Sequence, residues 1–243
     1  MSIISDKYLV VSLQRDRTSE WFVPKFGPKS FRLGVGILFL PYTAIVTCFA
    51  ALGAMSGSLE ITRIIAISVI YFLALGVSAH LLDAIGGKTK PWGNLPKRKL
   101  WAISMGALGV AFSIGIYFAF LDSPLLFPIG IAEGFFLFAY NLELFGGRFH
   151  NKKTTILSWG ILPVFAGSAI QTNSIGVDTI IISGVAALIT YVLIANTRPY
   201  KILKQNNGDP REIRRRELFL KALPIAVIIG TILYFVAKYY SLI

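Results

Sequence analysis

The chain is poor in acidic residues, in histidine and in thiols: 12 Asp plus Glu, 2 His and a single Cys among 243 residues. One cysteine excludes an internal disulfide, and two histidines with one distant cysteine exclude a soft-metal centre. Cys48 sits inside an apolar run and is expected to pack as a small hydrophobe. Charged residues of either sign make up only 15% of the chain, against 55% hydrophobic residues and a mean hydropathy of +0.67. Such a balance excludes a soluble domain of this size and points to a polytopic membrane protein. No glycine-rich phosphate loop of the nucleotide-binding type occurs, and no serine has an evident base partner. Residues 1–31 mix charges throughout and lack the basic, apolar, small-residue order of a cleavable signal. The first apolar span is therefore expected to remain as a helix.

What the chain has is long apolar runs. A spanning helix needs about 20 apolar residues, and seven stretches qualify, near 33–54, 61–82, 100–121, 124–144, 154–172, 177–196 and 218–240. The expected fold is an all-α transmembrane bundle of about seven spans forming a single domain over 1–243. The fifth span, "TTILSWGILPVFAGSAIQT", is interrupted by Gly160, Pro163 and Gly167. Neighbouring helices re-satisfy a broken backbone in lipid, so a kinked helix lying inside the bundle is expected there.

Basic residues fall on one side of this map. All 24 except Arg63 and Lys238 lie before the first span or in the links between spans two and three, four and five, and six and seven. The last of these links, 197–217, reads as a basic loop. Lys and Arg accumulate on the cytoplasmic face, which places the amino terminus inside and the carboxyl terminus outside. Topology alone accounts for such a face; attraction to anionic membrane lipids or to an anionic ligand would produce the same pattern. The loops are short and carry no recognition motif, which argues against nucleic acid. The segment "SEWFVPKFGPKSF" has Trp21, Phe22 and Phe26 among basic residues, suiting either an interfacial position or a flexible tail.

The few acids are more selective. Asp83, Glu133 and Glu143 lie in or at the ends of apolar spans, where ionisable groups mark sites facing the bundle interior. "HLLDAIGGK" and "YNLELFGGR" correspond at an offset of 60 residues, aligning His80 with Tyr140, Leu81 with Asn141, Asp83 with Glu143 and Lys88 with Arg148. Each places an acid, a glycine pair and a base at a helix end. The glycines are expected to leave the helix in a left-handed conformation. Two ordinary helix stops would look like this. So would two carboxylates facing one cavity and holding a divalent cation against phosphate oxygens. His80 and Asp83 are three residues apart and share a helix face.

The stretches "FRLGVGILFLPYTAIVTCFAALGA", "VSAHLLDAIGGKTKP" and "AYNLELFGGRFHNKKTTILSWGILPVFAGSAIQ" resemble, over roughly residues 30–196, the UbiA-type intramembrane prenyltransferases. The resemblance implies a helical bundle that holds a prenyl diphosphate through Mg²⁺ bound by aspartate-rich motifs and transfers the prenyl group to a lipid-soluble acceptor. Laid on that family's first motif, the chain has Ala79, His80, Asp83 and Gly87, so only the middle aspartate is in place. In the segment "ANTRPYKILKQNNGDPR", where the second motif belongs, only Asn196 and Asp209 are candidates. The family usually has more helices than the seven expected here.

On this reading Asp83 and His80 are the candidate catalytic residues and Asp83 with Glu143 the candidate Mg²⁺ ligands. Lys88, Lys90, Tyr140, Asn141, Arg148 and Arg198 are the candidate residues for an isoprenoid diphosphate. Two other functions fit the same residues: a non-catalytic isoprenoid- or quinone-binding relative, or a subunit of a membrane complex; and a transporter, to which Glu133 is the pointer. The implied location is an integral, multi-pass position in the cell membrane.

Overall fold

The structure is a computed structural model describing residues 17–86, Trp92 and 95–241. Among them there is no strand, and seven helices make up the bundle. They are α1 (Lys29–Met55), α2 (Ile61–Gly86), α3 (Lys97–Leu121), α4 (Leu126–Asn141), α5 (Lys152–Thr172), α6 (Val177–Gln205) and α7 (Pro210–Tyr239). Six are long and apolar enough to cross a membrane; α4, with 16 residues, is shorter. At 1.5 Å per residue it spans about 24 Å, under the roughly 30 Å of a hydrocarbon core.

The seven expected spans coincide with these helices, with α4 trimmed at both ends. The basic link behaves differently from its expectation. The helix α6 continues to Gln205 and α7 begins at Pro210, so most of 197–217 is helical. A turn over 206–209 connects the two, with the Asp209 carboxylate accepting the Arg211 amide at 2.9 Å. Helix signals outlast the apolar signal here because Lys, Arg and Glu are good helix formers in water.

The interior helix is α5: 72% of its apolar stretch is buried, against 17–50% for the other five spanning helices. Its backbone widens into a π-helical segment over Ile156–Ile161, immediately before Pro163, whose missing N–H a regular helix cannot accommodate. Glycines then bring α5 against α1. A Cβ on Gly167 would strike the Ala50 carbonyl and Ala54 nitrogen, and one on Gly53 the backbone of Val164. Such backbone-to-backbone approach is how membrane helices pack without a hydrophobic drive between them.

Helix α1 is broken at Phe39, which takes a left-handed conformation with φ 45° two residues before Pro41. The Thr43 hydroxyl donates to the Leu38 carbonyl at 2.7 Å, satisfying one acceptor stranded by the break. Helix α2 also contains a π-helical stretch, Phe72–Ala79, ending directly before His80.

The glycine pairs at the ends of α2 and α4 differ from one another. Gly146 and Gly147 are left-handed as expected (φ 67° and 79°), but Gly86 is helical. A Cβ there would lie 2.6 Å from Leu142 Cδ2 and 3.1 Å from the Asn141 carbonyl, so close approach of α2 to the end of α4 is what demands glycine. Gly87 lies outside the described residues.

The end of the bundle opposite the basic residues is tied by Arg63. Its guanidinium donates to Asp122 at 2.9 and 2.6 Å, to Glu60 at 2.9 Å and to Ser123 at 3.2 Å. It also reaches the Ile170 carbonyl, joining α2, the α3–α4 link and α5. Hydrogen bonds from Arg63 and Ser123 hold the Asp122 carboxyl below the usual carboxylate range. At the same end Asn173 terminates α5 in a left-handed conformation and accepts the Leu125 amide at 2.9 Å. Cys48 is half-buried against apolar neighbours, as a small hydrophobe should be.

Residues 17–28 pack onto the basic end of the bundle. Val23 is buried, Phe22 stacks at 4.4 Å from Phe39, and Trp21 joins the cluster around α1, α6 and α7. Phe26, by contrast, is exposed.

Candidate functional site

At the basic end of the bundle, α1, α2, α4, α5 and α6 enclose a cavity of about 190 Å³. Five residues singled out from sequence line it: His80, Asp83, Tyr140, Asn141 and Arg198. Arg148 and Glu143 are not among its lining residues, and Lys88 and Lys90 lie outside the described residues. Asp83 and Glu143 are therefore not brought to one cavity wall. The reason is local: α4 stops at Asn141, and Glu143 follows in a left-handed turn (φ 50°) that takes it out of the helical register Asp83 keeps in α2.

The cavity also recruits residues the sequence did not single out. Lys201 lies three residues beyond Arg198 on α6, so the two share a face with Ile194 and Thr197. That periodicity was readable, had the helix been extended through its charged end. Arg17 arrives from the amino-terminal segment, and no local pattern announces it. Its guanidinium sits 5.2 Å from the Phe39 ring and 5.9 Å from that of Trp92, within cation–π range. Glu20 anchors this segment to α6: its carboxylate accepts the Tyr200 hydroxyl and the Lys204 ammonium, each at 3.1 Å. Phe39, in its left-handed conformation, forms part of the wall 5.2 Å from the His80 ring.

The wall is graded. Along α6, Leu193 and Lys201 are eight residues apart, about 12 Å of helix. Arg198 is exposed and Arg17, Lys201 and Asp83 are half-buried, which puts them at the mouth, while Leu193 and Tyr42 are buried. Among the described lining residues three are cationic, Arg17, Arg198 and Lys201, and one is a carboxylate, Asp83, a balance that favours an anion. The deeper part suits an apolar chain.

His80 is held in a definite tautomer. Its Nδ1 lies 3.0 Å from the Gly76 carbonyl, which only accepts, so the proton is on Nδ1. In the neutral ring Nε2 is then the free acceptor. Thr43 Oγ1, 3.5 Å from Nδ1, and Trp159, with ring centroids 6.0 Å apart, fix the imidazole plane. The Asn141 amide donates to the Leu137 carbonyl at 2.7 Å, and Tyr140 stacks on His150 with ring centroids 4.3 Å apart. Among the described residues no hydrogen bond reaches the Asp83 carboxylate, which lines the cavity half-buried.

Among the described residues no three His, Cys, Asp or Glu side chains gather as a metal centre. The one carboxylate among the described wall residues could serve an Mg²⁺ whose remaining ligands come from a bound molecule and water. Such an ion keeps most of its shell on water and phosphate and takes only one or two carboxylates from protein. Asp83 would be that carboxylate. Comparison with protein-family models, curated proteins and solved structures returns no match.

Proposed function

We propose that this membrane protein binds an isoprenoid diphosphate in the cavity at its basic end and transfers the prenyl group to a lipid-soluble acceptor, as a UbiA-like prenyltransferase of the cell membrane. The observation that carries the reading is the convergence of His80, Asp83, Tyr140, Asn141 and Arg198 with Arg17 and Lys201 around one cavity, charged at its mouth and apolar within.

In the reaction the allylic C–O bond breaks heterolytically and its electron pair leaves on the diphosphate. The acceptor then attacks the carbon and loses a proton. Arg17, Arg198 and Lys201 stabilise the negative charge that develops on the leaving group, the kind of fixed electrostatic support that contributes most to such steps. Asp83 would hold an Mg²⁺ ion, which would supply further neutralisation of the leaving group's charge. His80, with Nδ1–H committed to Gly76, presents Nε2 as the base for the acceptor's proton. Leu193 and Trp159 receive the first part of the prenyl chain.

A second reading is supported by the single carboxylate in the wall: the cavity binds the diphosphate lipid without transferring it, as a carrier or a subunit of a membrane complex.

The test is equilibrium binding of farnesyl diphosphate and farnesol to the protein in lipid nanodiscs, with Mg²⁺ or with a chelator. Diphosphate should bind at least about tenfold better than alcohol, one charge-assisted hydrogen bond's worth. Replacing Arg198 and Lys201 together by Ala should remove that preference. Asp83→Asn should remove the Mg²⁺ dependence alone. Equal binding of diphosphate and alcohol sinks the proposal. Tight binding without product when acceptor-containing membrane extract is added selects the non-catalytic reading.

A further inference from the structure

A second cavity, of about 250 Å³, lies between α2, α3, α4 and α5, away from the basic end. Its wall is apolar apart from two side chains, Tyr71 and Glu133. The Tyr71 hydroxyl donates to Glu133 Oε1 at 3.0 Å. The other carboxyl oxygen, Oε2, is buried and has no hydrogen-bond partner among the described residues. A polar atom stranded in such surroundings is costly and calls for an explanation.

Two glycines of this region do the reverse of those between α1 and α5. Gly115 and Gly130 line the cavity. A Cβ on Gly130 would meet nothing within 4 Å, and one on Gly115 only Ile70 Cδ1 at 3.9 Å. Here the missing side chains keep space open. The wall also reaches the outer surface of the bundle, where Ile116 and Ile131 are exposed, so a molecule dissolved in lipid has a way in.

We infer that this cavity binds a lipid-soluble molecule carrying one hydroxyl group, with its hydrocarbon body against α3 and α4 and its oxygen on Glu133 Oε2. A cavity of about 150 Å³ holds a benzene ring, so this one takes roughly ten heavy atoms, and a longer tail extends into the bilayer. A hydroxyl both donates and accepts, and therefore partners Oε2 in either protonation state of the carboxyl. A hydrocarbon would leave the oxygen stranded.

The probe is a ten-carbon primary alcohol with a mid-chain diazirine, photolysed with the protein in nanodiscs and mapped by peptide mass spectrometry. Its controls are the hydrocarbon and the primary amine with the same chain and diazirine. The alcohol should label the cavity wall at Phe112, Ile116 or Ile131 about three- to tenfold more than the hydrocarbon, the range of one net hydrogen bond. Glu133→Ala should reduce it to the hydrocarbon's level, and Glu133→Gln, which keeps a donor and an acceptor, should preserve it. Gly115→Leu should lower labelling by both. The alcohol-to-hydrocarbon ratio on the unmodified protein decides the matter even where a variant fails to fold. Equal labelling makes the cavity an acyl-chain groove, and stronger labelling by the amine makes it a cation site; either overturns the inference. So does labelling confined to the exposed faces of α6 and α7.

Discussion

The contact between α1 and α5 makes a sharp quantitative test, because replacing glycine by alanine should have opposite signs at different positions. In Gly167→Ala the new methyl meets the Ala50 carbonyl and the Ala54 nitrogen, and Gly53 lies beside them. All are backbone, so no side chain can rotate away and the helix axes must part by about an ångström. A gap of that size forfeits about a quarter to a half of each affected dispersion contact. The losses fall on Phe49, Ala50, Ala54, Val164 and Ile170, each at most 1% exposed. Overpacking typically costs about 1–3 kcal/mol, and an all-backbone clash belongs at the upper end, near 3. At Gly184 in α6 and Gly230 in α7 an added Cβ meets nothing within 4 Å. Alanine there should stabilise by up to about 1 kcal/mol through helix propensity alone. The double change Gly53→Ala with Gly167→Ala should cost less than the sum of the two, because the second methyl enters a gap the first has opened. Reversible unfolding in mixed micelles, followed by tryptophan fluorescence, compares the unmodified protein with the three single changes at Gly167, Gly184 and Gly230, with Gly53→Ala and with the double change. If Gly167→Ala unfolds like the unmodified protein while Gly184→Ala does too, the close-approach account is wrong. Because Phe39 and Tyr42 on α1 and Trp159 on α5 share the polar cavity, Gly167→Ala should also weaken farnesyl diphosphate binding.

The remaining predictions concern the two ends of the bundle. Asp122 is held below the ordinary carboxylate value by Arg63 and Ser123, so its contribution to stability is complete above the unfolded value of about 3.9 and is lost as pH falls through the lower folded value. Asp122→Asn should flatten that acid limb of a stability–pH curve and leave the neutral region's slope unchanged; an identical acid limb would remove the clamp from the account. For topology, a reporter inserted near Asn206 should read cytoplasmic and one fused after Ile243 should read outside, since α7 separates them. Two reporters on one side would overturn the orientation drawn from loop charge.

The number and order of the helices were legible in the chain by itself. An apolar run long enough to cross lipid is a local property, and so is the polar link that ends it. The interior place of α5 was readable for the same reason, from Gly160, Pro163 and Gly167. The gathering of basic residues at one end follows from alternation along the chain. Tertiary structure decided which polar residues share a cavity. Periodicity tells which side chains occupy one face of one helix, as with His80 and Asp83, but not how that face is turned toward its neighbours. The π-helical stretches in α2 and α5 each add a residue to a turn, rotating the later part of the helix by on the order of 100°. His80 comes directly after one of them. The matching of Asp83 with Glu143 failed at the same level: the two segments agree residue by residue, yet Gly86 stays helical against α4 while Glu143 and the two glycines after it turn left-handed. Arg17 reaches the mouth because Glu20 binds Tyr200 and Lys204, a contact between groups 180 residues apart. No window along the chain contains both partners, so only the folded bundle could bring that third cation to the site.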